Sequence, residues 1–385
     1  MGVVTGSVEL AGCERLGYEY GPALMPGNAP GSFTMWRYRD LLPLPDGPVR
    51  YPLPIGGTPL LPAPALRQAL GVPRLWIKDE TRGPTASNKD RATALVVEDG
   101  LRRGLDTITT ASTGNAAVAT AFGAAAAGLR AVIFVSVDCQ PEKLALMGES
   151  GAWVFRVPAG YAAAVDLSRA AARAFGWLDR NTGANPLTTE AKKTVALEVW
   201  EQLGRRMPDV MVAPVGDGPT LVALDKGFGE LISCGLAPRR PRLIGVQARA
   251  CQPLVRAWLG APPSPDQLDP AATVADGIAV VRAAIGDAVL DVVRRSGGAM
   301  VAVDDDALLG AVTTLAGRAG VGAEPAGAAA LAGLGSALSC GLVDRGETVV
   351  LLVTGREVKA GAARGRGRAR VAETLEEVEQ GLADR

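Results

Sequence analysis

Short apolar runs alternate with helix-length segments along most of this chain. The strand-like runs are "RLWIKDE", "DTITTAS", "RAVIFVS", "AWVFRVP", "DVMVAPVG", "RLIGVQA" and "TVVLLVTG", and patterns such as "SNKDRATALVVEDGLRRG" lie between them. This alternation is typical of parallel βαβ units, in which crossover helices cover the faces of a sheet. It predicts an α/β fold with two doubly wound lobes, one before and one after about residue 180.

Length, charge and cysteine content limit the classes of protein to which this chain can belong. A chain of 385 residues, 48% hydrophobic and 21% charged, is that of a globular protein with two domains or one enlarged domain. Lys+Arg and Asp+Glu each total 40, so net charge gives no argument for nucleic acid or an anionic membrane, and we expect neither partner. The five cysteines form no CxxC pair, which fits a reducing cytoplasm.

Two apolar or terminal stretches could be mistaken for targeting segments. The start, "MGVVTGSVELAGCERLG", has no apolar core of the signal-peptide kind. The stretch "AAVATAFGAAAAGLRAVIFV" is broken by "GLR", so we expect a buried helix followed by a strand and not a membrane span.

The chain contains no histidine. This excludes Ser–His and Cys–His dyads and His-ligated metals, and we expect no metal site. Proton transfer must then come from Lys, Asp, Glu, Tyr, Cys or a cofactor. Lys89 stands out, because "PTASNKDRAT" places it where a coil meets a helix, and a lysine can serve when burial or a Schiff base lowers its pKa.

Three loops that follow predicted strands carry polar residues, at the edge where open parallel sheets bind ligands. In "APVGDGPTLVALDKG" the glycines and helix start predict a phosphate cradle, although a tight turn without ligand explains them equally well. In "TASTGNAAVA" the hydroxyls and amide suit a carboxylate, and the alternative is N-capping. In "TGREVKAG" a polar residue stands at the end of a very apolar strand, which a strand-ending turn without ligand explains equally well. With Lys89, these loops match the needs of pyridoxal 5'-phosphate (PLP).

The motifs also resemble a known family. From "MWRYRDLLP" to Thr354, the order "GGTPLL", "KDETRGPTASNKDR", "ASTGNAA", "KKTVALEVWEQLG", "PDVMVAPVGDGPTL" and "LVTG" resembles the threonine synthase branch of the fold-type-II PLP enzymes, relatives of tryptophan synthase β. The resemblance implies a large PLP-binding domain with an N-terminal arm (1–94 and 176–360), a small mobile α/β domain (95–175) and a charged tail (361–385). It also implies a homodimer.

The resemblance further implies roles for single residues. Lys89 would be the Schiff-base lysine and move protons at Cα and later carbons. Asn115 would bind the phenolic oxygen of PLP, and Thr354 would face the pyridine nitrogen. The remaining implied contacts are to the cofactor phosphate, by Gly216, Asp217, Gly218 and Thr220, and to the substrate, by Ser87, Asn88, Ser112, Thr113, Gly114 and Lys193.

Several positions depart from the family pattern. "PTASNKDR" stands for "PTGSFKDR", so Ala86 and Asn88 replace a glycine and an aromatic residue. Asp217 and Pro219 alter the phosphate loop. Arg356 stands where a histidine is usual, and Lys192 is added beside Lys193. The segment "VADGIAV" is more similar to the serine/threonine dehydratase branch.

The resemblance therefore implies a PLP-dependent lyase or synthase of amino-acid biosynthesis. It would act by elimination and replacement at Cβ or Cγ, as a carbon–oxygen lyase acting on phosphates, on O-phosphohomoserine or a related acidic amino acid. The alternatives are a serine/threonine dehydratase-like or cysteate-synthase-like enzyme, and a PLP-binding homologue without turnover.

Overall fold

The computed structural model describes residues 3–10, 13–19, 33–261, 263–264, 267–358 and 369–383. The strands are β1 (Val3–Leu10), β2 (Cys13–Glu19), β3 (Leu60–Leu61), β4 (Leu75–Asp79), β5 (Thr107–Ala111), β6 (Arg130–Ser136), β7 (Trp153–Val157), β8 (Leu178–Asp179), β9 (Val210–Pro214), β10 (Arg242–Ala248), β11 (Ala299–Val303), β12 (Val349–Val353) and β13 (Ala369–Val371). The helices are α1 (Pro64–Leu70), α2 (Lys89–Arg102), α3 (Asn115–Ala126), α4 (Pro141–Glu149), α5 (Tyr161–Phe175), α6 (Leu187–Gln202), α7 (Pro219–Ser233), α8 (Pro253–Trp258), α9 (Gly286–Arg295), α10 (Asp305–Ala319), α11 (Pro325–Ser339) and α12 (Leu375–Ala383).

The first compact unit, unit 1, comprises Met1–Pro43, Gly56–Asn88 and Thr189–Glu357. Its main sheet has the order β11-β10-β9-β12-β4-β3, and only the short edge strand β3 runs antiparallel to its neighbour. Every residue of β9 and β12 is buried, as expected where helices cover both faces of a parallel sheet. One apolar cluster includes α11 and another includes α6, α7 and α9.

The predicted N-terminal arm contains regular structure. Strands β1 and β2 form an antiparallel pair of their own, and Met35–Leu41 forms a 3-10 helix. Met35, Tyr38 and Leu41 of this helix are fully buried, so they belong to the core of unit 1. Residues 20–32 of the arm lie outside the described residues.

The second compact unit, unit 2, comprises Leu44–Ile55, Lys89–Thr188 and Val358–Arg385. Its sheet is parallel throughout, with the order β13-β7-β6-β5-β8. Strand β13 and helix α12 come from the segment predicted as a charged tail. Val378 of α12 is buried in the apolar cluster of this unit, while residues 361–368 lie outside the described residues.

The predicted α/β class with doubly wound sheets is confirmed, and every strand-like run named above forms a strand. The apolar stretch at 116–135 forms most of α3 and β6, as predicted. Within the described residues, no helix combines the length and apolar character that crossing a bilayer requires. The division into domains at 1–94, 95–175 and 176–360 stays a prediction, because the two units are defined by compactness alone.

Candidate active site

The segment before Lys89 is fixed by the end of strand β12. Residues 86–88 lie antiparallel to 354–356, with a β-bridge at their centre. The Asn88 N–H donates to the carbonyl oxygen of Thr354 at 2.8 Å. Lys89 follows as the first residue of α2 and is half-buried. The structure thus brings together two motifs that lie more than 260 residues apart in the chain.

Ala86 adopts a backbone conformation that suits glycine better. Its φ is +55°, in the left-handed region, where a β-carbon costs about 1–2 kcal/mol. The strain is maintained by two backbone bonds, from the Ala86 N–H to Gly83 and from the Arg356 N–H to the Ala86 carbonyl oxygen, both 3.0 Å long. Glycine would adopt this φ without that cost, in agreement with the glycine of the "PTGSFKDR" pattern.

A buried ion pair supports the "GGTPLL" turn. The Lys78 ammonium lies 2.6 Å from Glu198, and neither side chain is exposed. It also donates to the Thr58 carbonyl oxygen at 2.7 Å and to Gln202 at 2.9 Å, so its three protons are used. Glu198 accepts from the Gly57 N–H at 2.9 Å. Sequence reasoning missed this network; the signal was a lysine inside the apolar strand "RLWIKDE".

The predicted phosphate loop lies between β9 and α7. Gly218 has a φ of +89°, and a β-carbon there would meet Val289 Cγ2 at 2.1 Å. A β-carbon on Gly216 would meet Val280 Cγ2 at 3.1 Å, so the loop packs against the "VADGIAV" segment. Gly218 is therefore required by the protein's own packing, and Gly216 leaves little room for a side chain. They bring the backbone into a turn that ends at the start of a 15-residue helix.

The donors at this turn fit a phosphate. The first amides of a helix have no intrahelical acceptor and carry the positive end of its dipole. Helix α7 has no acidic residue in its first turn, and Pro219 takes the first helical position, where no N–H is needed. The buried Thr220 adds a hydroxyl in the same turn. Asp217 is half-buried beside Gly218, and its predicted part in holding the cofactor stays a prediction.

Thr354 is half-buried at the carboxyl end of β12. The start of α11 lies against the next residue: the Glu324 N–H donates to the Gly355 carbonyl oxygen at 3.1 Å. A β-carbon on Gly327 would come within 2.2 Å of that oxygen, so only glycine permits this approach. The position of Thr354 is therefore fixed by β12, α11 and the lysine segment together.

Lys193 lies among carboxylates. Its ammonium is 2.7 Å from Glu190 and 2.9 Å from Glu230, and its side chain is not exposed. Lys226 contacts the same two carboxylates. Burial opposes the charge of Lys226, but Glu190 and Glu230 outweigh it and its pKa is raised. These four groups join α6 to α7. The predicted contact of Lys193 with substrate stays a prediction.

In unit 2, residues 112–115 connect β5 to α3. The Ser112 hydroxyl accepts from the Gly114 N–H at 3.1 Å, which closes a small turn. Gly114 is the N-cap of α3, and it makes no side-chain capping bond. Side-chain N-capping stays the alternative prediction for this loop. Asn115 is half-buried as the first residue of α3. The loop thus places two hydroxyls beside the start of α3.

Sequence reasoning also missed a buried cation in unit 2. Arg180 is not exposed at all, and it bonds Thr93 at 3.3 Å and Thr182 at 3.1 Å. In the described part of the chain its Nη2 has no hydrogen-bond partner. Burial lowers its pKa to about 10, so it remains charged near neutral pH. Thr93 lies one helical turn after Lys89, on the same face of α2.

One cysteine and two tyrosines are held neutral by burial. Burial raises the pKa of Cys139 to about 11, and it raises the pKa values of Tyr38 and Tyr51 further above their ordinary range. Among the described residues, no cluster of acidic or cysteine side chains could hold a metal ion. The role of Lys89 in proton transfer stays a prediction.

A cleft of about 400 Å³ opens at the amino-terminal edge of the unit 2 sheet. Asp106, Arg130 and Trp153, at the starts of three strands, line part of it. None of the predicted site residues lines this cleft, and the predicted loops follow the opposite ends of their strands. The candidate site is therefore located by the types of residue in its loops and not by the volume of this cleft.

Comparisons with known proteins agree with this chemistry. A threonine synthase from Methanosarcina acetivorans is 33% identical over 327 residues, which are 85% of this chain and 80% of that protein. A threonine synthase from Mycobacterium leprae is 35% identical over 323 residues, or 84% of this chain and 87% of that protein. The predicted resemblance to threonine synthases is confirmed.

A solved structure extends the comparison to the fold. The T.th. threonine deaminase has a TM-score of 0.65 and 26% identity, covering 79% of this chain and 94% of that chain. The sequence pattern of the family described as "Pyridoxal-phosphate dependent enzyme" matches residues 51–355. That span holds every predicted site residue, and PLP as the cofactor is confirmed at the level of the family. The chain belongs to the pyridoxal-phosphate dependent enzymes.

Proposed function

We propose that this protein is a threonine synthase-like lyase that removes an acidic leaving group from an amino acid and adds water. The observation that carries the proposal is the position of Lys89, at the start of α2 and directly after a residue bonded to Thr354 at 2.8 Å. The similarity to threonine synthases over 84–85% of the chain supports it. The proposed substrate is O-phosphohomoserine or a related acidic amino acid.

The residues present fit PLP, which supplies an electron sink for a carbanion at the substrate Cα. Lys89 would bind the cofactor through its amine and, once released, take the proton from Cα. Thr220 and the first amides of α7 would hold the cofactor phosphate with Gly216 and Gly218. Asn115 would donate to the phenolic oxygen. Thr354, a neutral hydroxyl, would face the ring nitrogen and leave it unprotonated, which favours elimination over transamination.

The substrate contacts follow from the remaining loops. Ser112, Thr113 and Gly114 would bind the α-carboxylate through hydroxyls and the helix start. Ser87 and Asn88 precede Lys89 and are buried, and they would orient the side chain of the substrate. In the proposed reaction protons leave Cα and Cβ, and the C–O bond at Cγ breaks as phosphate leaves with the bonding electrons. Cγ then takes up a proton, the hydroxyl of water adds at Cβ, and Cα regains its proton.

A second candidate is a serine/threonine dehydratase. Two observations favour it: the "VADGIAV" segment packs directly against the phosphate loop, and the T.th. threonine deaminase shares the fold at 26% identity. This enzyme would break a C–O bond at Cβ and release a keto acid and ammonia.

A product assay separates the two candidates. Purified protein with PLP is incubated with O-phosphohomoserine, and threonine and phosphate are measured, in parallel with keto acid released from serine or threonine. We expect threonine and phosphate in equal amounts, loss of both in Lys89→Ala, and retention in Lys143→Ala, which removes a lysine of α4. Keto acid from threonine, with no phosphate released, would contradict the proposal and favour the dehydratase.

We further propose that the enzyme is a homodimer, as the family resemblance implies, and that it works in the cytoplasm, which its scattered cysteines fit. Analytical ultracentrifugation of the PLP-loaded protein measures the mass directly, and a monomer at micromolar concentration would contradict the dimer.

A further inference from the structure

Strand β5 loses its sheet partner on one side just before the predicted substrate loop. On that side, β8 pairs with Ile108 and Thr109 only, and the last backbone bond runs from the Arg180 N–H to the Thr109 carbonyl oxygen at 2.9 Å. Backbone groups of alternate residues face the same neighbour, so the next unpaired group on this side is the Ala111 N–H. On the other side pairing with β6 continues, through a 3.0 Å bond from the Ser112 N–H.

The side chain of Asn181 takes the place of the missing strand. Its Oδ1 accepts from the Ala111 N–H at 2.8 Å and from the Thr110 hydroxyl at 3.3 Å. Its Nδ2 donates to Ser168 at 3.0 Å and to Asp179 at 2.8 Å. Both amide hydrogens and the oxygen are used, and the residue is 4% exposed. If the amide were turned over, its NH2 group would face the Ala111 N–H and its oxygen would face the Asp179 carboxylate. The network therefore selects one orientation of the amide.

This amide is itself anchored from two further elements. Ser168 belongs to α5, and its hydroxyl lies 3.1 Å from the Thr109 hydroxyl of β5. The Asn181 backbone N–H donates to the Asp179 carboxylate at 2.8 Å, at the end of β8. A buried polar network whose members are all satisfied holds one geometry. The end of β5 is therefore fixed by a network that includes β8 and α5.

We propose that Asn181 is a positioning residue for the substrate loop 112–115. The inference rests on the proposed function, in which residues 112–114 bind the substrate carboxylate and Asn115 binds the cofactor. Asn181 acts through Ala111 and does not itself bind substrate. Only three residues separate Ala111 from Asn115, so a tilt at the end of β5 moves the whole loop. A displacement of about 1 Å in a binding group is enough to reduce turnover severely.

The test compares Asn181→Ala with Asn185→Ala, a matched control. Asn185 is of the same type, and it bonds the Asp179 carbonyl oxygen and the Leu187 N–H without contacting β5. Amide hydrogen exchange in residues 107–118 and the KM and kcat for O-phosphohomoserine are measured on the PLP-loaded full chain. We expect faster exchange from Ala111 to Asn115 and a KM raised on the order of tenfold in Asn181→Ala alone.

Ser168→Ala is a milder variant that keeps the test decisive if Asn181→Ala does not fold. It removes one of the two acceptors for Nδ2 and leaves the bond to Ala111, so we expect a smaller change in the same direction. Unchanged exchange at residues 111–115 in Asn181→Ala would overturn the positioning role. Faster exchange with an unchanged KM would instead overturn the assignment of this loop to the substrate. Because exchange does not depend on turnover, failure of the positioning role and failure of the proposed function give different results.

Discussion

The two loops with predicted cofactor contacts at helix starts are held in different ways. The loop after β9 is shaped by its own glycines, with Gly218 in a left-handed conformation against Val289. The loop after β5 is held from outside, by the amide of Asn181, which lies 70 residues away from Ala111 in the chain. The first loop therefore takes its shape from its own glycines, which leave room for apolar side chains of a later segment, whereas the second is held by hydrogen bonds from a distant polar network.

Gly218→Ala should have the largest effect, because the local loop has no room for a methyl group. The left-handed φ costs about 1–2 kcal/mol, and overpacking against Val289 adds about 1–3 kcal/mol. We expect a lower free energy of unfolding and weaker PLP binding, measured by denaturant titration and by absorbance titration of the apoprotein.

Gly235→Ala is the control for Gly218→Ala. Gly235 has a similar φ of +68°, and a β-carbon there would meet no atom within 4 Å. Gly235→Ala should lower the free energy of unfolding by the cost of the left-handed φ alone and leave PLP binding unchanged. Equal effects of the two substitutions would contradict the packing argument.

Ala86→Gly is the opposite change to Gly218→Ala, because it removes a β-carbon from a residue with a left-handed φ. The lysine segment needs the same left-handed geometry but carries a β-carbon, so removing it should relieve strain. Glycine's greater freedom in the unfolded chain offsets part of the gain, and we expect about 1 kcal/mol or less of added stability. Thermal unfolding measures this.

Ala63→Gly is the comparison variant for Ala86→Gly, since Ala63 has a φ of +42° at the start of α1. Both should stabilise, and only Ala86→Gly should alter the absorbance of bound PLP. A loss of stability in Ala86→Gly would show that the segment is not strained.

Asp209→Asn tests the other end of β9 and should have the smallest effect. Burial opposes ionisation of Asp209, but the Thr348 N–H and Arg239 outweigh it, so its pKa is lowered. Because the pKa of Asp209 is lower in the folded protein than its unfolded value of 3.8, the ionised carboxylate adds to the free energy of unfolding above pH 3.8. This contribution is lost as the pH falls through the pKa of the folded state. The melting temperature of wild type should exceed that of the variant above about pH 5 and converge with it in acid. A constant difference down to pH 2 would contradict this.

Sequence reasoning recovered what local patterns encode. Strands such as β9 and β12 are apolar throughout, and Lys89, Gly216 and Gly218 stand at their predicted junctions. It did not name β11, whose "AMVAV" is short and follows two glycines. It also missed Asn181, because "DRNTGANP" has the composition of a turn and its partners become neighbours only on folding. The strain at Ala86 was visible only as a missing family glycine.

The central claim is that Lys89 carries the cofactor. The direct measurement is borohydride reduction of the PLP-loaded protein, which fixes PLP to the amine that holds it, followed by peptide mass spectrometry. The account predicts one modified lysine, in the peptide that contains "PTASNKDR", and no modification there in Lys89→Arg. Attachment of PLP to Lys192 or Lys193 instead, or no attachment at any lysine, would contradict it.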